Sequence, residues 1–313
     1  MIFRNARLIF SDGIREGLEI VTQQGKIAEI RQQTNAPANG VANLDGNYLA
    51  PGFVDLHVHG AVGRDTMEAS EEAFRAICDF HASGGTTSLL LTTATAPLDA
   101  IVDVIKAVRN CRSSIKQIAG VHVEGPFISK IRRGAQPAEF IQNPLPASVQ
   151  RLLEHADVIK RITIAPELRG ALEAIEKFHA QEISVSGGHS DASDDEARAA
   201  LTQGMCSVTH IFNCMSSARR RGVYRVAGLL EFALSEPTVL CELIADGYHV
   251  SATLMKMLYR AKRGPGICLV TDATAGAGLP DGSRFRFSVM IASLKGAFVC
   301  WLIARRSRAA RRA

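Results

Sequence analysis

The sequence predicts an α/β protein whose main body is a (β/α)8 TIM-type barrel. Two observations carry this. Eight short apolar or β-branched runs alternate with helical stretches between residues 53 and 271, as in a parallel sheet covered by helices. Chemistry-bearing residues gather at the C-terminal ends of those runs, where barrels of this kind place their active sites. A doubly wound parallel sheet is the alternative arrangement of the same elements.

Residues 1–50 precede the alternation. Leu18–Val21 and Lys26–Ile30 are β-prone and are joined through Gln23-Gln24-Gly25, a hairpin signal. This segment is too small to bury a core alone. The predicted barrel strands are 53–58, 86–91, 118–123, 161–165, 182–186, 206–209, 239–245 and 267–271. Most are continuous apolar runs, the pattern of strands buried on both faces. Helices are predicted over 70–82, 98–110, 146–156, 169–180, 192–203, 224–235 and 251–262. Ser70 before Glu71-Glu72, and Ser193 before Asp194-Asp195-Glu196, read as N-caps with acidic first turns.

The stretch PGFVDLHVHG, residues 51–60, is the focus of the chain. Alternation along a strand sends His57 and His59 to one side, with Asp55 behind them. The other strand ends carry His122 and Glu124, His189, His210, Asp246 and His249, and Asp272. Six of the nine histidines lie in these segments. His81, His155 and His179 fall inside helical stretches and read as surface or packing residues. His122 alternates onto the face of Glu124, where it serves either the site or the packing beneath it.

The set His57, His59, Glu124, His189, His210 and Asp272 offers nitrogen and oxygen only. It suits zinc, iron, manganese or cobalt and argues against a thiolate structural site. A divalent ion held this way with an open position lowers the pKa of water from roughly 15.7 toward 7 and polarises a carbonyl. Asp272 is the natural acid/base, taking a proton from the attacking water and passing it to the leaving group. Ligating the metal is compatible with that role.

Composition bounds the partners. Of 313 residues, 47% are hydrophobic and 21% charged, the balance of a globular chain with ample core. The net charge of +5 is concentrated in Arg305, Arg306, Arg308, Arg311 and Arg312, so no nucleic-acid surface is expected. Seven dispersed cysteines without a CxxC pair fit reduced thiols in the cytoplasm. The start MIFRNARLIF lacks signal-peptide architecture, and Ala297–Ala304 is too short to span a bilayer, so no membrane partner is expected.

Over roughly residues 1–288 the chain resembles the amidohydrolase superfamily, and within it the deacetylase family that acts on N-acetylglucosamine 6-phosphate. The motifs are PGFVDLHVHG (51–60), HVEGPFIS (122–129), GGHSDA (187–192), THIFNCM (209–215), ADGYHV (245–250) and LVTDATAGAG (270–278). The resemblance implies a metal-dependent hydrolase barrel over 51–288, with residues 1–50 as part of a small β-sandwich. It implies Glu124, His189 and His210 as ligands of the principal metal, zinc or iron, and Asp272 as the acid/base. A second metal is accommodated by His57 and His59, since this chain keeps both histidines of the pair. Arg221, His249 and Asn213 match positions that hold the sugar phosphate, with Ala135, Gln136 and Cys214 nearby in the pocket. The implied reaction gives glucosamine 6-phosphate and acetate, in amino-sugar catabolism or recycling. The resemblance further implies a homodimer where the fold is complete.

The chain departs from the family in two places. Gly134-Ala135-Gln136 stands where the family has Gly-Ala-His. From about residue 289 the sequence leaves the family pattern and ends SLKGAFVCWLIARRSRAARRA. A frameshifted basic tail over 289–313 is therefore expected, leaving the barrel without its last helix and the sandwich incomplete. Two other functions stay open. One is a cyclic amidase of the dihydroorotase or allantoinase kind, disfavoured because those commonly bridge metals with a carbamylated lysine whereas Glu124 fills that place. The other is an inactive, truncated deacetylase.

Overall fold

A computed structural model of the chain describes residues 1–287, 290–295 and 298–301. Eight strands form one parallel sheet: β1 (Phe53–Val58), β2 (Thr86–Thr93), β3 (Ile118–Glu124), β4 (Ile159–Ile164), β5 (Ser184–Gly187), β6 (Met205–Val208), β7 (Leu240–Ile244) and β8 (Ile267–Val270). Their spatial order is their sequence order, as right-handed β/α crossovers dictate. The eight predicted strands all form.

The sheet curls until its first and last strands meet. Val58 bridges Ala273 in parallel, and the Asp272 amide donates to the His57 carbonyl at 2.9 Å. Asp55, on β1, fastens the seam. Its buried carboxylate accepts from the Thr271 hydroxyl at 2.7 Å and from the His57 amide at 3.1 Å. The ring is therefore closed by residues 271–273 just beyond β8, and Asp272 is placed at its rim.

The helices between the strands are α1 (Glu71–Ser83), α2 (Leu98–Cys111), α3 (Pro146–Leu153), α4 (Ala171–Ala180), α5 (Asp194–Thr202), α6 (Leu229–Ser235) and α7 (Ala252–Lys262). Ser70 caps α1 by accepting from the Ala73 amide, and Ser193 caps α5 in a reciprocal box with Glu196. Apolar residues at helical spacing, such as Ile101, Ile105 and Val108 of α2 and Ala174, Ile175 and Phe178 of α4, join the strand side chains in one core. The helix predicted over 224–235 is shorter. Tyr224–Val226 instead pairs with Arg219–Arg221 as an antiparallel hairpin turning at Gly222, whose φ is 62°. The β-branched and aromatic residues there favour the strand, and Gly228 opens α6.

Among the described residues no helix follows β8. Arg284–Phe287, Met290–Lys295 and Phe298–Trp301 form a three-stranded antiparallel sheet. Residues 290–295 and 298–301 of the tail predicted from 289 are thus strand, and 289, 296–297 and 302–313 lie outside the described residues. No helix among the described residues is long and apolar enough to cross a membrane.

Met1–Phe53 forms a compact unit of its own. It holds a four-stranded sheet with Ile2–Arg4 at its centre and a three-stranded sheet around Arg7–Phe10. The hairpin expected at Gln24-Gly25 forms, both residues having positive φ. Ala6, Leu8 and Ile20 make the small core. Beside it Glu19, fully buried, is gripped by Arg4 at 2.6 Å and Arg31 at 2.7 Å.

Candidate metal centre

The strand ends of Val54–Ala313 converge on one carboxylate. Glu124, the last residue of β3, is 2% exposed. Its Oε1 lies 3.2 Å from Nε2 of His189 and 3.2 Å from Nε2 of His210, and those two nitrogens are 3.1 Å apart. The same oxygen is 3.4 Å from His57 Nε2, while Oε2 is 3.2 Å from His59 Nε2. His57 and His59 face each other through their Nε2 atoms at 3.2 Å. Asp272 Oδ1 completes the ring, 3.3 Å from His57 and 3.4 Å from His59. Two groups of potential ligands result, His57-His59-Glu124 and Glu124-His189-His210.

These separations fit metal ions. A tetrahedral ion with bonds near 2.0–2.1 Å holds its ligands roughly 3.3–3.4 Å apart. Ring orientation fits as well. A ligating histidine donates its other ring N–H to an oxygen. His189 Nδ1 meets the Arg132 carbonyl at 3.0 Å, His59 Nδ1 the Thr92 carbonyl at 3.2 Å, and His57 Nδ1 the Glu242 carboxylate at 3.3 Å. Each leaves Nε2 pointing at Glu124 with its lone pair available. His210 Nδ1 is buried without a hydrogen-bond partner among the described residues.

Electrostatics point the same way. Burial alone would lower the His189 imidazole, but the facing Glu124 carboxylate and the Cys214 thiol outweigh it and lift it to about 10. His57 is likewise raised well above its ordinary value, Asp272 and Glu124 overcoming the cost of burial. In the metal-free chain the centre therefore draws in protons to balance its carboxylates, and a divalent cation would do the same more completely.

The backbone supports the arrangement. His189, His210 and Asp272 follow β5, β6 and β8, and all have positive φ, at 47°, 31° and 49°. Non-glycine residues rarely adopt that conformation, at a cost of about 1–3 kcal/mol each, and it clusters at functional sites. Gly60, after His59, allows the closing loop to approach: a Cβ there would sit 2.3 Å from the Arg64 carbonyl.

The centre forms the floor of a cavity of about 540 Å³, a size suited to a small ligand. Ala135, Gln136, Asn213, Cys214 and His249 line it, with Asp246 and Phe287. Gln136 is buried and donates from its amide to Glu124 Oε2 at 2.7 Å, while its carbonyl accepts from the Thr95 amide. His249 is held by Asp246 at 2.7 Å. Arg221 is not among the lining residues; it stands exposed on the hairpin of Arg219–Arg221. His122 lies beneath the centre, its Nε2 2.8 Å from the Thr163 hydroxyl and its ring against His57. His81 and His155 are buried rather than surface residues.

Sequence reasoning missed Glu242. It lies inside β7, fully buried, with Oε1 2.7 Å from Nη2 of the buried Arg161 on β4. The available signal was a lone charge within an apolar barrel strand, which requires a partner.

A closed parallel barrel with imidazole and carboxylate ligands at its C-terminal rim defines a metal-dependent hydrolase of the TIM-barrel class. The model of the amidohydrolase family matches residues 48–297. An N-acetylglucosamine-6-phosphate deacetylase of Lysinibacillus sphaericus is 35% identical over 291 residues, 90% of this chain and 73% of that protein. An N-acetylgalactosamine-6-phosphate deacetylase of Escherichia coli O157:H7 is 31% identical over 285 residues, again 90% and 73%. The crystal structure of N-acetylglucosamine-6-phosphate deacetylase from Pasteurella multocida superposes with a TM-score of 0.87 at 31% identity, covering 95% of this chain and 78% of that one. The chain belongs to the amidohydrolase family.

Proposed function

We propose that the chain hydrolyses the acetamide of N-acetylglucosamine 6-phosphate to glucosamine 6-phosphate and acetate. The observation that carries this reading is the pair of ligand groups sharing Glu124 at the floor of the cavity. The names of the relatives supply the substrate. Glu124, His189 and His210 would hold the principal metal, zinc or iron, and His57 and His59 with Glu124 a second. A bound divalent ion supplies an activated water and polarises the amide carbonyl.

Asp272 is the acid/base. Both carboxylates line the cavity, but the Asp272 side chain is 21% exposed whereas that of Glu124 is 2% exposed and faces the imidazoles. It would take the proton of the attacking water and return it to the departing amine nitrogen. Gln136 holds Glu124 in place from the side of the cavity. His249, anchored by Asp246, and Asn213 would orient the sugar phosphate. Arg221 has the planar, bidentate fork that suits a phosphate, but it stands on the hairpin outside the cavity lining, so His249 and Asn213 would carry that contact. Glu124 supplies the shared carboxylate that a carbamylated lysine provides in cyclic amidases, which favours the linear amide. The similarity to a galactosamine enzyme makes the 4-epimer the specific competitor.

Acetate release should be measured from the 6-phosphates of N-acetylglucosamine and N-acetylgalactosamine and from unphosphorylated N-acetylglucosamine, and ring opening of dihydroorotate should be followed beside it. The reading expects the first to be turned over with the highest kcat/KM. Turnover of the cyclic amide alone would contradict it.

A further inference from the structure

The four histidines of the centre are not held alike. His189 and His59 direct Nδ1 to neutral backbone carbonyls, those of Arg132 and Thr92. His57 directs Nδ1 to a carboxylate, Glu242 Oε2, at 3.3 Å. That carboxylate is itself elaborately held. Its Oε2 also accepts from the His210 backbone amide at 3.3 Å, and its Oε1 is paired with Arg161. Arg161 is fixed in turn by the hydroxyls of Ser186 and Ser207, each at 2.9 Å, and of Ser184 at 3.1 Å. Both charged residues are buried, on strands β7 and β4 that do not pair with each other.

Two buried charges are costly to keep inside a barrel, and apolar residues of the same volume commonly serve stability as well or better. Their placement has a consequence at the metal. A carboxylate on Nδ1–H fixes the tautomer, orients the ring and makes Nε2 a stronger donor than a carbonyl does. We propose that Glu242, anchored by Arg161, is the positioning residue for His57 and makes the His57–His59 half of the centre a resident metal site. Arg161, 2.7 Å from Oε1, keeps the carboxylate aimed at His57. This rests on reading the centre as a metal site.

The test titrates metal-free chain with cobalt(II), followed by its visible spectrum, and counts bound zinc by elemental analysis. Wild type should take two equivalents. Glu242→Gln should bind the first as wild type does and the second about 10–100-fold more weakly. A melt of the metal-free variants checks that each folds. The double variant Arg161→Met, Glu242→Met leaves no buried charge unpaired. If Glu242 only neutralises Arg161, the double variant regains both equivalents, and the proposal is overturned. A persistent defect in the second equivalent alone supports it. Two equivalents of wild-type affinity in Glu242→Gln, equal weakening of both, or a wild type that takes only one, each overturns it. If wild type takes no metal, the reading of the centre fails as well, which separates the two failures.

Discussion

The Nε2 atoms of His189 and His210 lie 3.1 Å apart, each 3.2 Å from one oxygen of Glu124. Two imidazole nitrogens and a carboxylate oxygen crowded so closely need a positive charge among them. Glu124 also faces His57 and His59, so one residue serves both groups. Glu124→Gln should therefore abolish metal binding in both, whereas His57→Asn should cost one equivalent only. Elemental analysis of the purified variants checks this.

Asp272 separates chemistry from metal retention. The Glu124-His189-His210 group does not include it. Asp272→Asn should keep the principal metal and the substrate affinity while kcat falls by about 10²–10⁴-fold. The measurements are metal content, KM and kcat on the same preparation.

His189 predicts a pH dependence. With no metal bound its imidazole is lifted to about 10, so below that pH an incoming ion must displace its proton. Metal affinity should rise with pH, by up to about tenfold per pH unit for each proton displaced. Calorimetric titrations in buffers of differing ionisation enthalpy should reveal the proton release at pH 7. Binding with no proton release would contradict this reading of the centre.

Glu19 makes a prediction for the Met1–Phe53 unit. Arg31, then Arg4, hold its carboxyl below the usual value of 4.5 against the cost of burial. A carboxyl depressed by folding adds stability that is present above its usual value and is lost as pH falls through the folded one. Glu19→Gln should lower amide-exchange protection in Leu18–Gln23 at pH 7, with the difference from wild type shrinking in acid.

Gly60 predicts a packing cost. Gly60→Ala would drive a methyl onto the Arg64 carbonyl and, at 2.8 Å, the Ala275 amide. Backbone on both sides leaves little room to give, and about 1–3 kcal/mol should be lost in denaturant unfolding.

The barrel was legible because most of its strands are buried along most of their length. Apolar runs such as Leu89–Leu91 stand out from the polar residues around them, and Ser70 and Ser193 cap helices by a local rule. The ligands were legible because the topology puts strand ends together whatever lies between them. Glu242 and Arg161 were not, since their pairing spans β7 and β4 and no local spacing encodes it. Nor was the Gln136–Glu124 bond, in which a loop residue returns to the strand end twelve positions earlier. The hairpin at Tyr224–Val226 was misread because its few residues run directly into α6.

The most direct measurement is acetate release from N-acetylglucosamine 6-phosphate by one preparation stripped of metal, then reloaded with zinc or iron. No release from the stripped chain, recovery on reloading, and loss in metal-replete Asp272→Asn are predicted. Full release without metal would rule out a metal-dependent hydrolysis, and an unimpaired Asp272→Asn would rule out Asp272 as its acid/base.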